Sequence, residues 1–254
     1  MARCSKCGDA VSPLLERSVE AETLDHLAPD DPAAQRSRRD LQRVHRAMRT
    51  RSVLLPVVRD AVAAARPAPR LLEIGAGDGT LMLGVARAGA AWPCHVELTL
   101  LDRQPLLAPR TVDEYAACGW DARAQVSDVF DWAHDDVQVE ASPRWSLIVA
   151  TLFLHHFEEP ALRELLGAVA RRCDRFFACE PRRGWIALAG SHLVGALGTN
   201  AVTRQDAVLS VHAGFSGREL SGHWPQGARD AWRLREGAVA PFSHCLHAER
   251  IGPA

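Results

Sequence analysis

The stretch "LLEIGAGDGT" at residues 71–80 confines the chain to few architectures. Four residues with the character of a buried strand run straight into three glycines spaced two apart, Gly75, Gly77 and Gly79, and a helical pattern, "TLMLGVARAGA", begins at Thr80. A strand-to-helix turn poor in side chains lets a ligand approach the backbone and meet a helix N-terminus. Such a turn belongs at the carboxyl edge of an α/β sheet.

The sequence on either side agrees. "RLLEIG", "HVELTLLD", "ARAQVSD", "WSLIVAT" and "RFFACEP" read as strands, with "TVDEYAACG" and "PALRELLGAVARRC" among the helices between them. This alternation predicts a doubly wound, mainly parallel α/β sheet with helices on both faces. Near the end, "AWRLREGAV" and "FSHCLHAER" form a hairpin across "AP", which puts an antiparallel strand at or near an edge. Upstream, "AQRSRRDLQRVHRAMRTR" sets Leu41, Val44 and Met48 on one helical face with arginines around the rest. A second, alanine-rich helix from Val53 stops before the prolines of "RPAP". Residues 1–33 show no sustained period and are expected to form a flexible segment.

The glycine turn discriminates among ligands. Thr80 stands where the last glycine of a dinucleotide-binding G-x-G-x-x-G should be, and no lysine follows as in a P-loop. Glu73, two residues before Gly75, would repel a pyrophosphate but suits a ligand carrying an ammonium group. Asp102 ends the second strand, 23 residues after Gly79, where a carboxylate accepts from ribose hydroxyls. Asp128, after the third strand, is placed to accept from an adenine amino group. Ribose, adenine and a cationic amino-acid end without phosphate describe S-adenosylmethionine.

In these motifs the chain resembles the class I S-adenosylmethionine-dependent methyltransferases: "LLEIGAGDGT", "LTLLD", "AQVSDVF" and "WSLIVATLFLHHF" match their first four motifs in order. The resemblance covers about residues 35–250 and implies a Rossmann-like, seven-stranded sheet with the last strand antiparallel. It implies that Glu73, Gly75 and Gly77 flank the cofactor's methionine part, Asp102 its ribose, and Asp128 with Val129 its adenine, with Ala76 and Arg103 also among the cofactor-binding residues. The backbone near Thr151 would meet its ammonium group. It further implies that residues 34–66 form a helical cap and that a cap insertion lies at about 184–225 within a cofactor-binding domain of residues 67–254.

Methyl transfer to a phenol or alcohol needs alignment, exclusion of water and removal of a proton. His155 and His156 of "LFLHHFEEP", just beyond the fourth strand, are the candidate bases, and the sequence does not choose between them. Arg204, Asp206 and His212 of "VTRQDAVLSVHAGF", with Arg43 and Arg46 of the upstream helix, are candidate substrate contacts. Together "RDLQRVHRAMR", "LFLHHF" and "VTRQDAVLSVHAGFSGREL" resemble the ubiquinone/menaquinone-type methyltransferases encoded beside type III polyketide synthases. That narrower resemblance implies a phenolic or quinone-like acceptor with an apolar part, whose tail "WIALAGSHLVGALG" would line.

O-methylation of a small phenolic or polyketide-derived molecule is therefore the leading expectation. C-methylation of a quinone precursor and a non-catalytic binder of the same fold are the rivals. Nucleic acid is not an expected partner: the formal net charge is −1, there is no basic domain, and no "NPPY"-like motif stands at "ATLFLHHF". All but one of the 30 basic residues are arginine, a compositional bias that weakens arguments from any single arginine. The apolar run from Trp185 is interrupted by Ser191 and His192 and falls short of the roughly 20 residues a membrane span needs. Seven scattered cysteines do not resemble a disulfide framework, and no N-terminal stretch resembles a signal peptide, so a reducing, cytoplasmic setting is expected. "CSKC" at Cys4–Cys7 is half a zinc knuckle without a second half, and no metal site is expected.

Overall fold

A computed structural model describes residues 15–65, 67–89, 92–135 and 143–251. Strands β1 (Arg70–Ile74), β2 (Val96–Asp102), β3 (Trp120–Val126), β4 (Leu147–Thr151) and β5 (Arg175–Pro181) run parallel. β6 (Trp232–Val239) and β7 (Ser243–Arg250) form the expected hairpin, and β7 inserts antiparallel between β5 and β6. The order across the seven-stranded sheet is β3-β2-β1-β4-β5-β7-β6. The order reverses between β1 and β4, and there the crevice for a ligand opens beyond the strand ends.

β1 and β4 are almost continuously apolar because both their faces are covered. Helices α3 (Thr50–Ala64), α4 (Thr80–Ala88) and α5 (Pro109–Ala116) pack one face through Leu54, Val58, Met82, Val85 and Tyr115. On the other face Trp132 of α6 (Val129–His134) and Leu162, Leu165 and Leu166 of α7 (Glu159–Arg172) meet Ile74, Ile148 and Phe176. Burial of either set at roughly 25 cal/mol per Å² is what holds the layers together.

Three further helices contribute residues to the crevice at the carboxyl edge: α2 (Pro32–Ala47), α8 (Trp185–His192) and α9 (Ala201–Ala213). α2 presents two stripes. Leu41 and Val44 face the crevice, with Met48 just past the helix end, while Ser37 and Asp40 are buried against the start of α9. Asn200 caps α9 by accepting from Thr203 N–H at 2.8 Å, and its amide donates to Ser37 Oγ at 2.9 Å and to the Ala33 carbonyl at 3.1 Å. The Asn200 N–H donates to Asp40 at 2.8 Å. A polar clasp thus joins α2 to α9.

Of the segment expected to be flexible, residues 1–33, the structure describes residues 15–33. Residues 15–31 lie along the edge of the site and include a one-turn helix, α1 (Thr23–His26). Arg17 donates to the carbonyls of Ala213 and Phe157, both at 2.9 Å, and its guanidinium lies 4.7 Å above the Phe215 ring. The N–H groups of Thr23 and Leu24 donate to the Asp206 carboxylate at 2.9 and 3.0 Å. These contacts run from backbone to side chain, so they need no hydrophobic period and leave no trace of one. Cys4 and Cys7 lie outside the described residues.

Candidate active site

A cavity of about 660 Å³ opens at the switch point, floored by the ends of β1, β2 and β4 and walled by α2, α8, α9 and the segment around α1. One end is formed by the glycine turn. Gly75, Gly77 and Gly79 all take φ between 56° and 73°, the left-handed region that side chains disfavour. A Cβ on Gly75 would lie 2.3 Å from the Phe153 ring, so that position is closed by packing as well. At Gly77 a Cβ would meet no protein atom within 4 Å and would point into open space.

Three carboxylates crowd this end. Glu73 is 1% exposed, and its Oε2 has no hydrogen-bond partner among the described residues. Burial, with the added repulsion of Asp78 and Asp102, pushes its carboxyl up to about 8. Asp102 accepts from the Gly77 N–H at 2.8 Å and the Gln104 N–H at 2.9 Å, one bond to each oxygen, so each keeps a lone pair for a ligand. Asp78 turns back onto its own loop, accepting from the Thr80 N–H at 3.0 Å and the Thr80 hydroxyl at 2.6 Å. A buried carboxyl with one oxygen left without a partner, beside two other carboxylates, is a place for a cation.

The remaining expected cofactor positions are brought together in part. Ala76, Asp128, Val129 and Thr151 line the same cavity. Asp128 caps α6 through the Phe130 N–H at 2.8 Å, with only Oδ1 used. Arg103 also lines the cavity, but its guanidinium turns to Asp25, 3.4 Å from the carboxylate and bonded to the main-chain carbonyl. It ties α1 to the tip of β2.

At the other end the two histidines separate by environment. Leu152, just after β4, takes a left-handed φ of 51°, which is strained for leucine. The turn is held because Glu180 at the tip of β5 accepts from the N–H groups of Phe153 and Leu154 at 3.1 and 3.0 Å. It then delivers the 3₁₀ turn Leu154–His156 to the cavity wall. His155 is 2% exposed, with Nδ1 2.8 Å from Glu180 and Nε2 3.2 Å from Glu22. Burial alone would lower its pKa, but the hydrogen bonds and charges of Glu180 and Glu22 outweigh it and raise it to about 9. Charged at neutral pH and donating from both nitrogens, His155 has no lone pair to take a proton. Of the two candidate bases, His155 is the one held at both nitrogens.

His156 is placed differently. Its side chain is 20% exposed, and Asp25 Oδ2 lies 3.1 Å from Nδ1. Burial would raise the Asp25 carboxyl, but His156 and Arg103 hold it below its ordinary value. His156 Nε2 makes no hydrogen bond to the described residues (its ring lies 4.2 Å from that of His155). An imidazole fixed at one nitrogen by a carboxylate, with the other open to a cavity, is the arrangement general-base chemistry requires.

Of the expected substrate contacts, the structure brings one to the cavity. Arg43, Arg46, Arg204 and His212 do not line the cavity; Arg43 is 43% exposed and pairs with Asp40. Asp206 does line it, but both its oxygens are used in anchoring α1, and it is not joined to His212. Arg43 and Arg46 lie on the solvated face of α2 and Arg204 is exposed on α9, as their sequence bias allows. The residues that sequence reasoning missed are Glu22, Asp25 and Glu180. Glu180 carried the same signal as Asp102, an acid ending an apolar strand. Glu22 and Asp25 carried none, because they sit in an aperiodic segment.

No protein-family model matches the chain, and no curated protein matches it in sequence. Solved structures do match. The plantazolicin methyltransferase BpumL in complex with SAH is similar at a TM-score of 0.61 and 12% identity, over 87% of this chain and 92% of that one. The plantazolicin methyltransferase BamL, in complex with a triazolic desmethylPZN analog and SAH, has a TM-score of 0.58 and 12% identity over 85% and 90%. An O-methyltransferase family protein from Burkholderia thailandensis has a TM-score of 0.51 and 16% identity over 80% of this chain and 57% of its own. The chain has the fold of these methyltransferases. Among the described residues no helix is long and apolar enough to cross a membrane.

Proposed function

We propose that the protein is an S-adenosylmethionine-dependent methyltransferase that methylates a hydroxyl group of a small phenolic or polyketide-derived acceptor. One observation carries the reading: the buried Glu73, whose Oε2 has no hydrogen-bond partner among the described residues, beside Asp78 and Asp102, on a turn whose Gly77 leaves open space. That cluster asks for a net-cationic ligand that comes close to the backbone, and S-adenosylmethionine fits both requirements. The neighbours of the same fold that hold SAH support the choice.

When bound, the cofactor would supply a methyl group activated by a positive sulfur. Glu73 would take its ammonium group, Asp102 its ribose hydroxyls, and Asp128 and Val129 its adenine. His156 would accept the acceptor's hydroxyl proton at Nε2, while Asp25 holds its tautomer and stabilises the imidazolium that forms. A phenol's pKa of about 10 leaves little phenolate at neutral pH, so the transfer gains from such a base. Leu41, Val44 and Met48 of the α2 side and Phe153 and Phe157 at the 3₁₀ turn would exclude water and take the acceptor's apolar part.

The test is incubation with methyl-labelled cofactor and an alkylresorcinol within a broader phenol panel, followed by product mass and fragmentation. The proposal expects label on oxygen. Label on a ring carbon would replace it with C-methylation, and cofactor binding without turnover across the panel would leave a binder of the same fold.

A further inference from the structure

The amino-acid end of the cofactor carries a carboxylate as well as an ammonium group, and the acidic cluster at Glu73 suits only the ammonium. The carboxylate needs a donor. Five basic side chains line the cavity among the described residues: Arg38, His45, Arg103, His155 and His156. Four of them are engaged elsewhere. Arg38 lies toward the tip of β2, where it donates to Gln104 Oε1 at 2.8 Å and to the Pro29 carbonyl at 2.9 Å. Arg103 is turned to Asp25, and His155 is held at both nitrogens. His156 stands beside His155 at the far end of the cavity. His45 remains.

His45 belongs to the glycine-turn end. α2 meets that turn through Gln42, whose Nε2 donates to Asp78 Oδ2 at 3.3 Å. His45 follows Gln42 by three residues and shares its side of the helix. Its Nδ1 lies 3.2 Å from Thr50 Oγ1. Thr50 is fully buried, and its hydroxyl has no other partner among the described residues. A buried hydroxyl proton left unpaired is costly, so Thr50 donates to Nδ1 and the ring proton sits on Nε2. Nε2 bonds to no described residue, yet it is not sealed in the interior. Burial pushes the imidazole down to about 4, further than Asp78 lifts it, so the ring is neutral at neutral pH. With Nδ1 already used as the acceptor, the ring offers the cavity one N–H donor.

We propose that His45, held as its Nε2–H tautomer by Thr50, is the donor that receives the amino-acid carboxylate of the cofactor. The assignment rests on the cofactor reading above and supplies the second half of its methionine subsite. Glu73 on β1 and His45 on α2 would then sort the two charges of one zwitterion. Donating as a neutral ring, His45 takes up no proton, so the proton set free on binding comes from Glu73.

The experiment is calorimetric titration of the full chain with two ligands, S-adenosylmethionine and its decarboxylated form, which keeps the ammonium group and lacks only the carboxylate. His45→Phe keeps a ring in place and removes the donor. It should weaken S-adenosylmethionine at least about ten-fold, the loss of one hydrogen bond to a charged group, and change the decarboxylated ligand by less than about two-fold. Thr50→Val leaves the ring proton free to sit on either nitrogen, and should show the same selectivity with a smaller loss. Circular dichroism melting establishes that each variant is folded. Equal losses for the two ligands in either variant, or no loss for S-adenosylmethionine, overturn the assignment and leave the cofactor reading standing. Wild type that takes up neither ligand overturns both.

Discussion

Glu73 is the position at which the reasoning can be tested without any ligand. Its carboxyl, at about 8 in the fold against 4.5 for an ordinary glutamate, is mostly protonated at neutral pH, so Glu73→Gln replaces one neutral group with another of similar shape. In the unfolded chain the glutamate ionises near its ordinary value. Native protein therefore binds the extra proton between 4.5 and about 8, and stability falls as pH rises through that window. The amide escapes this penalty. Relative to wild type, the variant should be nearly neutral below about pH 5 and more stable by about 3 kcal/mol at pH 7. The difference should approach about 5 kcal/mol above pH 8. His155 titrates in both proteins and cancels in the difference. Urea unfolding of both proteins at pH 5, 7 and 8.5 measures it. A stability difference that stays flat across that range would refute the buried carboxyl, with one oxygen left without a partner, on which the cofactor argument rests.

Further outcomes follow from the same geometry. His156→Asn should lower kcat by about 10²-fold or more with little change in acceptor KM, and Asp25→Asn should do so less severely, in steady-state assays across pH. His155→Leu should instead act on stability. It strips Glu180 and Glu22 of their cation and should cost about 3–5 kcal/mol at neutral pH in urea unfolding. The His155 contribution is full below 6.5 and is lost as pH rises through about 9, so wild type and variant should converge in alkaline solution. Gly77→Ala should cost only about 1–2 kcal/mol for its left-handed backbone yet abolish cofactor binding. Gly75→Ala, driven into the Phe153 ring, should unfold at clearly lower temperature.

The fold was legible because its determinants are local. Apolar strands alternate with helices, and one turn of three glycines fixes where the sheet opens; the expected strands appear in the sheet, and so does the hairpin, whose second strand inserts beside β5. The glycine turn, Asp102 and Asp128 sit on strand ends, and a strand end is readable. The acceptor side was not, because it is assembled from distant pieces. Asp25 reaches His156 from a four-residue helix without a period, and Glu180 reaches His155 from the next strand. Sequence spacing put both histidines beside the methyl-transfer position but could not say that one is clamped between carboxylates and the other open. Asp206 looked like substrate chemistry because a carboxylate and an imidazole shared one helix; its oxygens are instead used by the backbone of α1.

The central claim is that a net-cationic sulfonium cofactor binds over Glu73. Calorimetric titration of the full chain with S-adenosylmethionine at pH 7, in two buffers of different ionisation enthalpy, tests it most directly. The account predicts saturable one-site binding that releases close to one proton from wild type, about the fraction that a carboxyl near 8 retains at that pH, and none from Glu73→Gln. Folded protein that takes up no cofactor, or a proton release that survives the substitution, would contradict it.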